Sequence, residues 1–196
     1  MNQAAIDCGE LAERMARGFY VHAAAMGIAT DPRAWALAPD LEPGQSVPVG
    51  RVFRKDGTGH QFHYLHFLDQ ARSDSLLADD LRRIWITGSL LAVGDALGLH
   101  HYFDRAPELE LLRHLRNGVA HGNRFRIDNP LELSKFPAHN GYAWIKSDTK
   151  AVFEITPTQG GQPVLFDFMG PGDILDLLMS ISIYLTRMGS GAPLRP

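Results

Sequence analysis

The residues best suited to chemistry in this sequence lie in one short run, Arg116-Asn117-Gly118-Val119-Ala120-His121. We predict this run at the end of a helix, where side chains become accessible. Asn117 and His121 are four residues apart, so on a helix they stack on one face a single turn apart. Arg116 points about 100° round the helix from Asn117, but its side chain is long enough to reach the same pocket. The run therefore offers an imidazole, a carboxamide and a fixed cation to one site.

These three groups suit the cleavage of an RNA phosphodiester bond. That reaction needs a group that titrates near neutral pH to move a proton, and a cation to neutralise charge on the phosphate. We predict that His121 acts as general base or acid, that Arg116 holds the phosphate, and that Asn117 orients the histidine or a phosphate oxygen. With these three catalytic residues the reaction requires no metal and no other cofactor.

The charge pattern allows such a site but not a broad nucleic-acid-coating surface. The formal net charge is −3, whereas nonspecific nucleic-acid affinity comes mainly from many Lys and Arg contacts to phosphates. Residues 111–127 nevertheless contain no carboxylate, and they contain four arginines: Arg113, Arg116, Arg124 and Arg126. The sequence therefore predicts a local basic pocket around the motif.

Composition describes an ordinary globular chain, with 45% hydrophobic and 21% charged residues. We expect a single domain over residues 1–196. Its only cysteine, Cys8, excludes a disulfide within the chain and is interpreted as a small apolar residue. No apolar stretch approaches the ~20 residues of a membrane helix, and Asp7 and Glu10 stand where a secretion signal would be basic and then apolar. We therefore expect a cytoplasmic protein without a membrane partner.

Hydrophobic periodicity predicts a mainly α-helical fold. The helices are expected at about residues 9–28, 78–99, 107–122 and 171–187, with an ambiguous pattern at 61–77 also assigned to a helix. Asp104 can cap the helix that carries the motif, and Gly122 is placed to end it. Gly118 and Gly122 leave a strip without side chains, which would let another helix or a second copy of the chain approach closely.

Two segments interrupt this helical pattern. Residues 32–59 are rich in proline and glycine and predict a long loop, with one short strand at 49–54. Before the last helix, β-like runs predict a hairpin or small antiparallel sheet at about 141–168. The predicted fold is therefore a helical bundle with a small antiparallel β insertion before the last helix, followed by a loose tail at 189–196.

At residues 116–121 the sequence resembles the Arg-x4-6-His motif of HEPN domains, in which the residue after the arginine is commonly polar, as Asn117 is. The resemblance implies a HEPN-like helical bundle and a metal-independent endoribonuclease with RNA as its substrate. It also implies a homodimer whose two motifs face each other across a cleft. Such proteins are often toxins or defence effectors, neutralised by a partner such as an antitoxin or a nucleotidyltransferase-like protein.

Three alternative hypotheses also fit the sequence. Arg116 can be a solvated cation at a helix end and His121 a C-terminal cap that the helix dipole favours. The chain can also be a noncatalytic module that binds RNA, nucleotide or a partner protein through the same groove. The third hypothesis is a metal-dependent enzyme, because His60, His63 and His66 recur at every third residue and two of them could share a metal on a helix.

Overall fold

In the described residues the chain is mainly helical with one small antiparallel sheet, which confirms the predicted fold class. The structure is a computed structural model that describes residues 1–41, 43–145 and 151–195. It consists of two compact units, Met1–Phe19 with Arg82–Pro196 and Tyr20–Leu81. The single domain over residues 1–196 stays a prediction.

Six α-helices and two strands follow one another in the described residues. They are α1 (Gln3–Ala29), β1 (Val49–Phe53), β2 (Gly59–His63), α2 (Tyr64–Ser73), α3 (Ser75–Leu99), α4 (Pro107–Ala120), α5 (Pro130–Lys135) and α6 (Pro171–Ser190). Short 3-10 helices lie at Pro32–Leu37, Phe103–Arg105 and Pro157–Gln159. Each long helix predicted from periodicity is therefore present, and no described helix is both long enough and apolar enough to cross a membrane.

The core of the first unit is formed by one buried stripe from each of α1, α3, α4 and α6. The stripe of α1 is made of small residues except for Phe19, while the other three helices present leucine and isoleucine at helical spacing. Its fully buried members include Ala5, Ala12, Ile86, Leu90, Leu109, Leu112, Ile174, Leu178 and Ile181. Cys8 is a buried free thiol in this stripe, in keeping with its interpretation as a small apolar residue. Burial of these side chains fixes α4, and with it the motif, against its neighbours.

The start of α4 differs from the prediction. Ala106 occupies the N-cap position without a side-chain hydrogen bond, and Pro107 opens the helix. Asp104 instead lies in the preceding 3-10 helix and pairs with Arg105 at 3.6 Å. The chain turns through that 3-10 helix before α4 begins, so the Asp104 carboxylate is too early in the chain to cap it.

The end of α4 follows the prediction at Gly122 but not at Gly118. His121 is the C-cap and Gly122 adopts a left-handed φ of 83°, the conformation that favours glycine after a helix. A Cβ at Gly118 would overlap Cγ2 of Val164. The strip expected to receive another helix or a second copy is thus already covered at Gly118 by a side chain of the same chain.

The sheet lies in the second unit rather than before the last helix. β1 and β2 pair antiparallel from Val49↔His63 to Phe53↔Gly59. β1 lies inside the segment predicted as a long loop and confirms the strand predicted at 49–54. The helix assigned to 61–77 begins only at Tyr64, because residues 61–63 belong to β2.

In place of the hairpin predicted at 141–168, the described residues there form isolated bridges and the 3-10 helix Pro157–Gln159. Their backbone pairs with segments outside the predicted hairpin. Ile155 N–H donates to Ala138 O at 2.9 Å, and Val164 N–H donates to Asn123 O at 3.1 Å. Residues 146–150 of the predicted hairpin lie outside the described residues.

The tail predicted to be loose is anchored instead. Arg195 Nη1 lies 2.7 Å from Oε1 of Glu108, whose side chain is buried. The Arg195 guanidinium also lies over the rings of Tyr142 and Tyr184, at 5.2 and 5.4 Å from their centroids. A buried carboxylate in α4 therefore determines where residue 195 lies.

Candidate functional site

Arg116 is held against α3 by an ion pair. Its Nε and Nη2 donate to Oδ1 of Asp95 at 3.0 and 2.6 Å, and its Nη1 donates to Oδ1 of Asn117 at 3.2 Å. Gly94 makes room for this arrangement, because a Cβ there would lie 2.6 Å from Cγ of Arg116. The Asp95 side chain is 62% exposed, so the pair itself is worth little stability. Its effect is to position Arg116 and, through it, Asn117.

Asn117 and His121 line one pocket of about 370 Å³ at the end of α4. The other residues of its lining are Arg113, His114, Arg126, Ile127, Asp128, Asn129, Glu132 and Leu133. His121 is exposed, and its backbone N–H donates to Gly118 O at 3.2 Å. Within the described part of the chain its imidazole has no hydrogen-bond or ion-pair partner, so the ring is available to a ligand.

The structure therefore brings together only part of the predicted trio. Asn117 and His121 share the pocket, as their spacing of four predicts, and Arg116 is hydrogen-bonded to Asn117. Arg116 does not belong to the pocket lining, because Asp95 holds its guanidinium on the α3 side. Its direct contact with a phosphate stays a prediction.

The pocket is also less cationic than the run 111–127 suggests. Its lining holds two guanidinium groups, Arg113 and Arg126, and two carboxylates, Asp128 and Glu132. Both carboxylates follow the run 111–127 in the sequence, so a prediction based on that run did not include their negative charge. The pocket thus has mixed charge, with an imidazole and a carboxamide among the charged groups.

His114 is a pocket residue that sequence analysis did not single out. Its side chain is 9% exposed, and its Nε2 is buried without a hydrogen-bond partner among the described residues. Burial, assisted by the nearby Arg113 charge, lowers the pKa of His114 to about 4. Spacings of three and four relate His114, Asn117 and His121, so the helical period placed all three on one face. At neutral pH His114 contributes a neutral imidazole to this face.

The low pKa of His114 predicts an acid-sensitive fold. An unfolded histidine binds a proton below pH ~6.5, while folded His114 binds one only below about 4. This residue's contribution to stability is therefore complete above pH ~6.5 and is lost as the pH falls towards 4, by about 3 kcal/mol in all. Urea unfolding of the wild type and of His114→Gln between pH 4 and 7 checks it. An equally steep pH dependence in His114→Gln would contradict the assignment.

The three histidines of the metal hypothesis do not share one helix. His60 lies in β2 beside Arg54, whose Nη2 is 3.3 Å from its Nδ1. His63 ends β2 and caps α2, its Nδ1 accepting the His66 N–H at 3.3 Å. No group of three His, Cys, Asp or Glu side chains among the described residues is arranged to hold a metal ion. His60 is thus a strand residue and His63 a helix cap, rather than members of one row of metal ligands on a helix.

Comparison with known proteins adds no family assignment. No protein-family model, curated protein or solved structure matches this chain. The resemblance to HEPN domains rests on residues 116–121 and on the mainly helical fold, and it stays a prediction.

Proposed function

We propose that this protein is a metal-independent endoribonuclease, HEPN-like and of the toxin or defence type, that acts on RNA in the pocket lined by Asn117 and His121. The observation that carries the proposal is an exposed imidazole, without a partner in the part of the chain that the structure describes, beside a carboxamide that Arg116 holds in place. The pocket volume of about 370 Å³ is within the usual range for small-ligand sites, roughly 300–1,000 Å³.

His121 supplies the proton transfer. Its neutral imidazole takes the proton of the ribose 2′-hydroxyl, and the 2′-oxygen then attacks the neighbouring phosphorus. The bond from phosphorus to the 5′-oxygen breaks, and that oxygen takes up a proton from solvent. The products are one strand with a 2′,3′-cyclic phosphate and one with a 5′-hydroxyl, so no atom or charge from a metal is required.

Asn117 supplies orientation. Its Oδ1 accepts the hydrogen bond from Arg116, which leaves the Nδ2 hydrogens to donate to a phosphate oxygen or to the His121 ring. Asp95 holds Arg116, so a chain of two contacts connects α3 to the carboxamide. Arg116 and Asp95 thus act as positioning residues for the pocket.

The resemblance extends this proposal to partners and location. We propose a homodimer in the cytoplasm, neutralised by an antitoxin or a nucleotidyltransferase-like protein. Sedimentation of the purified chain tests the dimer separately from the chemistry. A monomer that still cleaves RNA would remove the dimer from the proposal without removing the reaction.

An RNA cleavage assay in the presence of a chelator tests the reaction. Purified protein is incubated with a defined single-stranded RNA and EDTA, and the ends of the products are identified by mass. We expect cleavage to persist and to leave 2′,3′-cyclic phosphate and 5′-hydroxyl ends. If the RNA stays intact at high protein concentration, with no inhibitory partner bound, the proposed catalysis is wrong.

The mixed charge of the pocket favours a second candidate, a noncatalytic module that binds RNA, nucleotide or a protein partner. Asp128 and Glu132 oppose Arg113 and Arg126 there, and a site without chemistry tolerates such a balance. Expression in cells separates the two functions. An active nuclease slows growth and its His121→Ala variant does not, whereas a module that cleaves no RNA is expected to slow growth in neither form.

A further inference from the structure

A ribonuclease pocket needs a cation beside the phosphate, and Arg116 is not in the lining. Two of its donors are used by Asp95 and a third by Asn117. Asp95 holds the Arg116 guanidinium on the α3 side, outside the pocket lining. The cations that already line the pocket are therefore the first candidates for this role.

Arg113 is one of the two, and it is already neutralised. Its Nε and Nη2 donate to the two carboxylate oxygens of Glu110 at 2.6 and 2.8 Å, in a two-point pair. The Glu110 side chain is only 6% exposed, so separating the pair would leave a buried carboxylate alone. Arg113 is thus fixed in a structural role and carries little charge to share with a ligand.

Arg126 is the other guanidinium of the lining. It shares the pocket with Asn117 and His121, and it is exposed. Within residues 1–41, 43–145 and 151–195 it forms no ion pair and no side-chain hydrogen bond. Its five guanidinium N–H donors are consequently available to an anion.

The backbone that presents Arg126 is fixed on the preceding residue. Phe125 is 2% exposed, and its ring lies edge-on to that of Phe168 at 5.0 Å. Phe125 N–H donates to Gln162 O at 3.0 Å, and Phe125 O accepts from Gly161 N–H at 2.9 Å. Phe125 is buried and the next residue, Arg126, is exposed, so the fixed backbone of Phe125 presents Arg126 at the surface. The backbone hydrogen bonds and buried ring of Phe125 therefore fix the position of Arg126 beside the pocket.

We infer that Arg126 is the residue that binds the RNA phosphate in this pocket, an inference that rests on the function proposed above. The ligand class is a phosphodiester anion, which a guanidinium can bind through two parallel hydrogen bonds. Asp128 and Glu132 in the same lining repel that anion, so the Arg126 guanidinium carries a large part of the attraction.

A binding assay that excludes cleavage tests Arg126. A fluorescent single-stranded RNA with 2′-O-methyl groups cannot be cleaved by 2′-oxygen attack, so its anisotropy reports binding alone. We expect Arg126→Ala to weaken binding by roughly 10- to 100-fold, the range for a hydrogen bond to a charged group. The slope of log affinity against log salt should also fall by about 0.7, the value for one phosphate contact on a single strand. Arg126→Lys should retain part of the affinity.

Arg14→Ala is the matched control. Arg14 is an exposed arginine on α1, 61% exposed, 3.6 Å from Glu10 and absent from the pocket lining. The substitution removes the same charge as Arg126→Ala. Because Arg14 lies outside the pocket lining, Arg14→Ala should bind the RNA as the wild type does. Circular dichroism melting of each variant confirms that binding is compared among folded proteins.

The outcomes separate this inference from the proposed function. If Arg126→Ala binds as tightly and with the same salt slope as Arg14→Ala, while the wild type cleaves RNA, the inference is wrong and the ribonuclease stands. If the wild type cleaves no RNA but binds the methylated strand through Arg126, the ribonuclease is wrong and the phosphate site stands. If the wild type binds no RNA, both are wrong.

Discussion

Replacing His121 with alanine is expected to slow RNA cleavage by about 10²–10⁴-fold, the usual contribution of a positioned general acid or base. His121 is exposed, and its contribution to the fold is its backbone N–H to Gly118 O, which alanine retains. The variant should therefore remain folded and still bind the 2′-O-methyl RNA. Initial rates on cleavable RNA, at equal protein concentration, measure the effect.

His60→Ala is the control for this substitution. His60 is also an exposed histidine, but it lies in β2 and outside the pocket. We expect it to cleave RNA at the wild-type rate. Equal rates in wild type and His121→Ala would indicate a contaminating nuclease or a different catalytic group, and either result contradicts the role assigned to His121.

Replacing Arg195 with alanine is expected to lower the free energy of unfolding by about 3 kcal/mol, because it leaves the buried Glu108 carboxylate without its ion-pair partner. The Glu108 side chain is 4% exposed and pairs with Arg195 through both carboxylate oxygens, at 2.7 and 3.4 Å. Arg195 also donates to Tyr142 O at 3.1 Å. Its side chain is 37% exposed, so water can partly replace it, and the value falls at the low end for buried pairs. Urea unfolding at neutral pH measures the change.

Two further variants test the cause of that loss. The double variant Glu108→Gln with Arg195→Ala also removes the negative charge of the buried Glu108 carboxylate, and it should recover part of the lost stability. Arg105→Ala removes an exposed arginine whose partner, Asp104, is also exposed, and should change stability by no more than about 0.5 kcal/mol. If Arg195→Ala were no more destabilising than Arg105→Ala, the pair with Glu108 would not anchor residue 195.

The helices were predictable because each carries its buried stripe at a regular spacing. In α4, Leu111, Leu112 and Leu115 recur at helical positions and are all fully buried. The same rule predicted that Asn117 and His121 share a face, and they share a pocket. Information of this kind is local, because it depends on residues within a few turns of one another.

The ion pairs that hold Arg116 and Arg195 in place are not local. Asp95 and Arg116 are 21 residues apart, and Glu108 and Arg195 are 87 apart. Which carboxylate meets which guanidinium depends on how helices pack, and a single sequence carries no spacing rule for that. The basic run 111–127 suggested a cationic pocket because it ends just before Asp128, which together with Glu132 gives the lining mixed charge.

The position of the sheet could not be predicted for a related reason. β-like residues such as Ile155 and Val164 are buried, but their backbone pairs with residues 138 and 123 rather than with one another. Alternating or apolar runs show that a segment is extended and half-buried, and they do not specify its partner. In residues 49–63 the turn between the two strands is short, so the pairing there is local and β1 was correctly predicted.

The fit of Val164 over Gly118 has a consequence for how the motif can be used. A peptide of α4 alone would be 14 residues long and would contain residues 116–120 of the motif. Isolated helices shorter than roughly 12–15 residues are marginal in water, so such a peptide would be only marginally helical. Val164, more than forty positions later in the chain, packs over Gly118 in the final turn of α4. Residues 161 and 164 also donate backbone hydrogen bonds to residues 125 and 123, just after the helix. Residues 116–121 therefore do not form an independent structural unit. Grafted onto another scaffold, they would lack the Val164 contact that supports their conformation here.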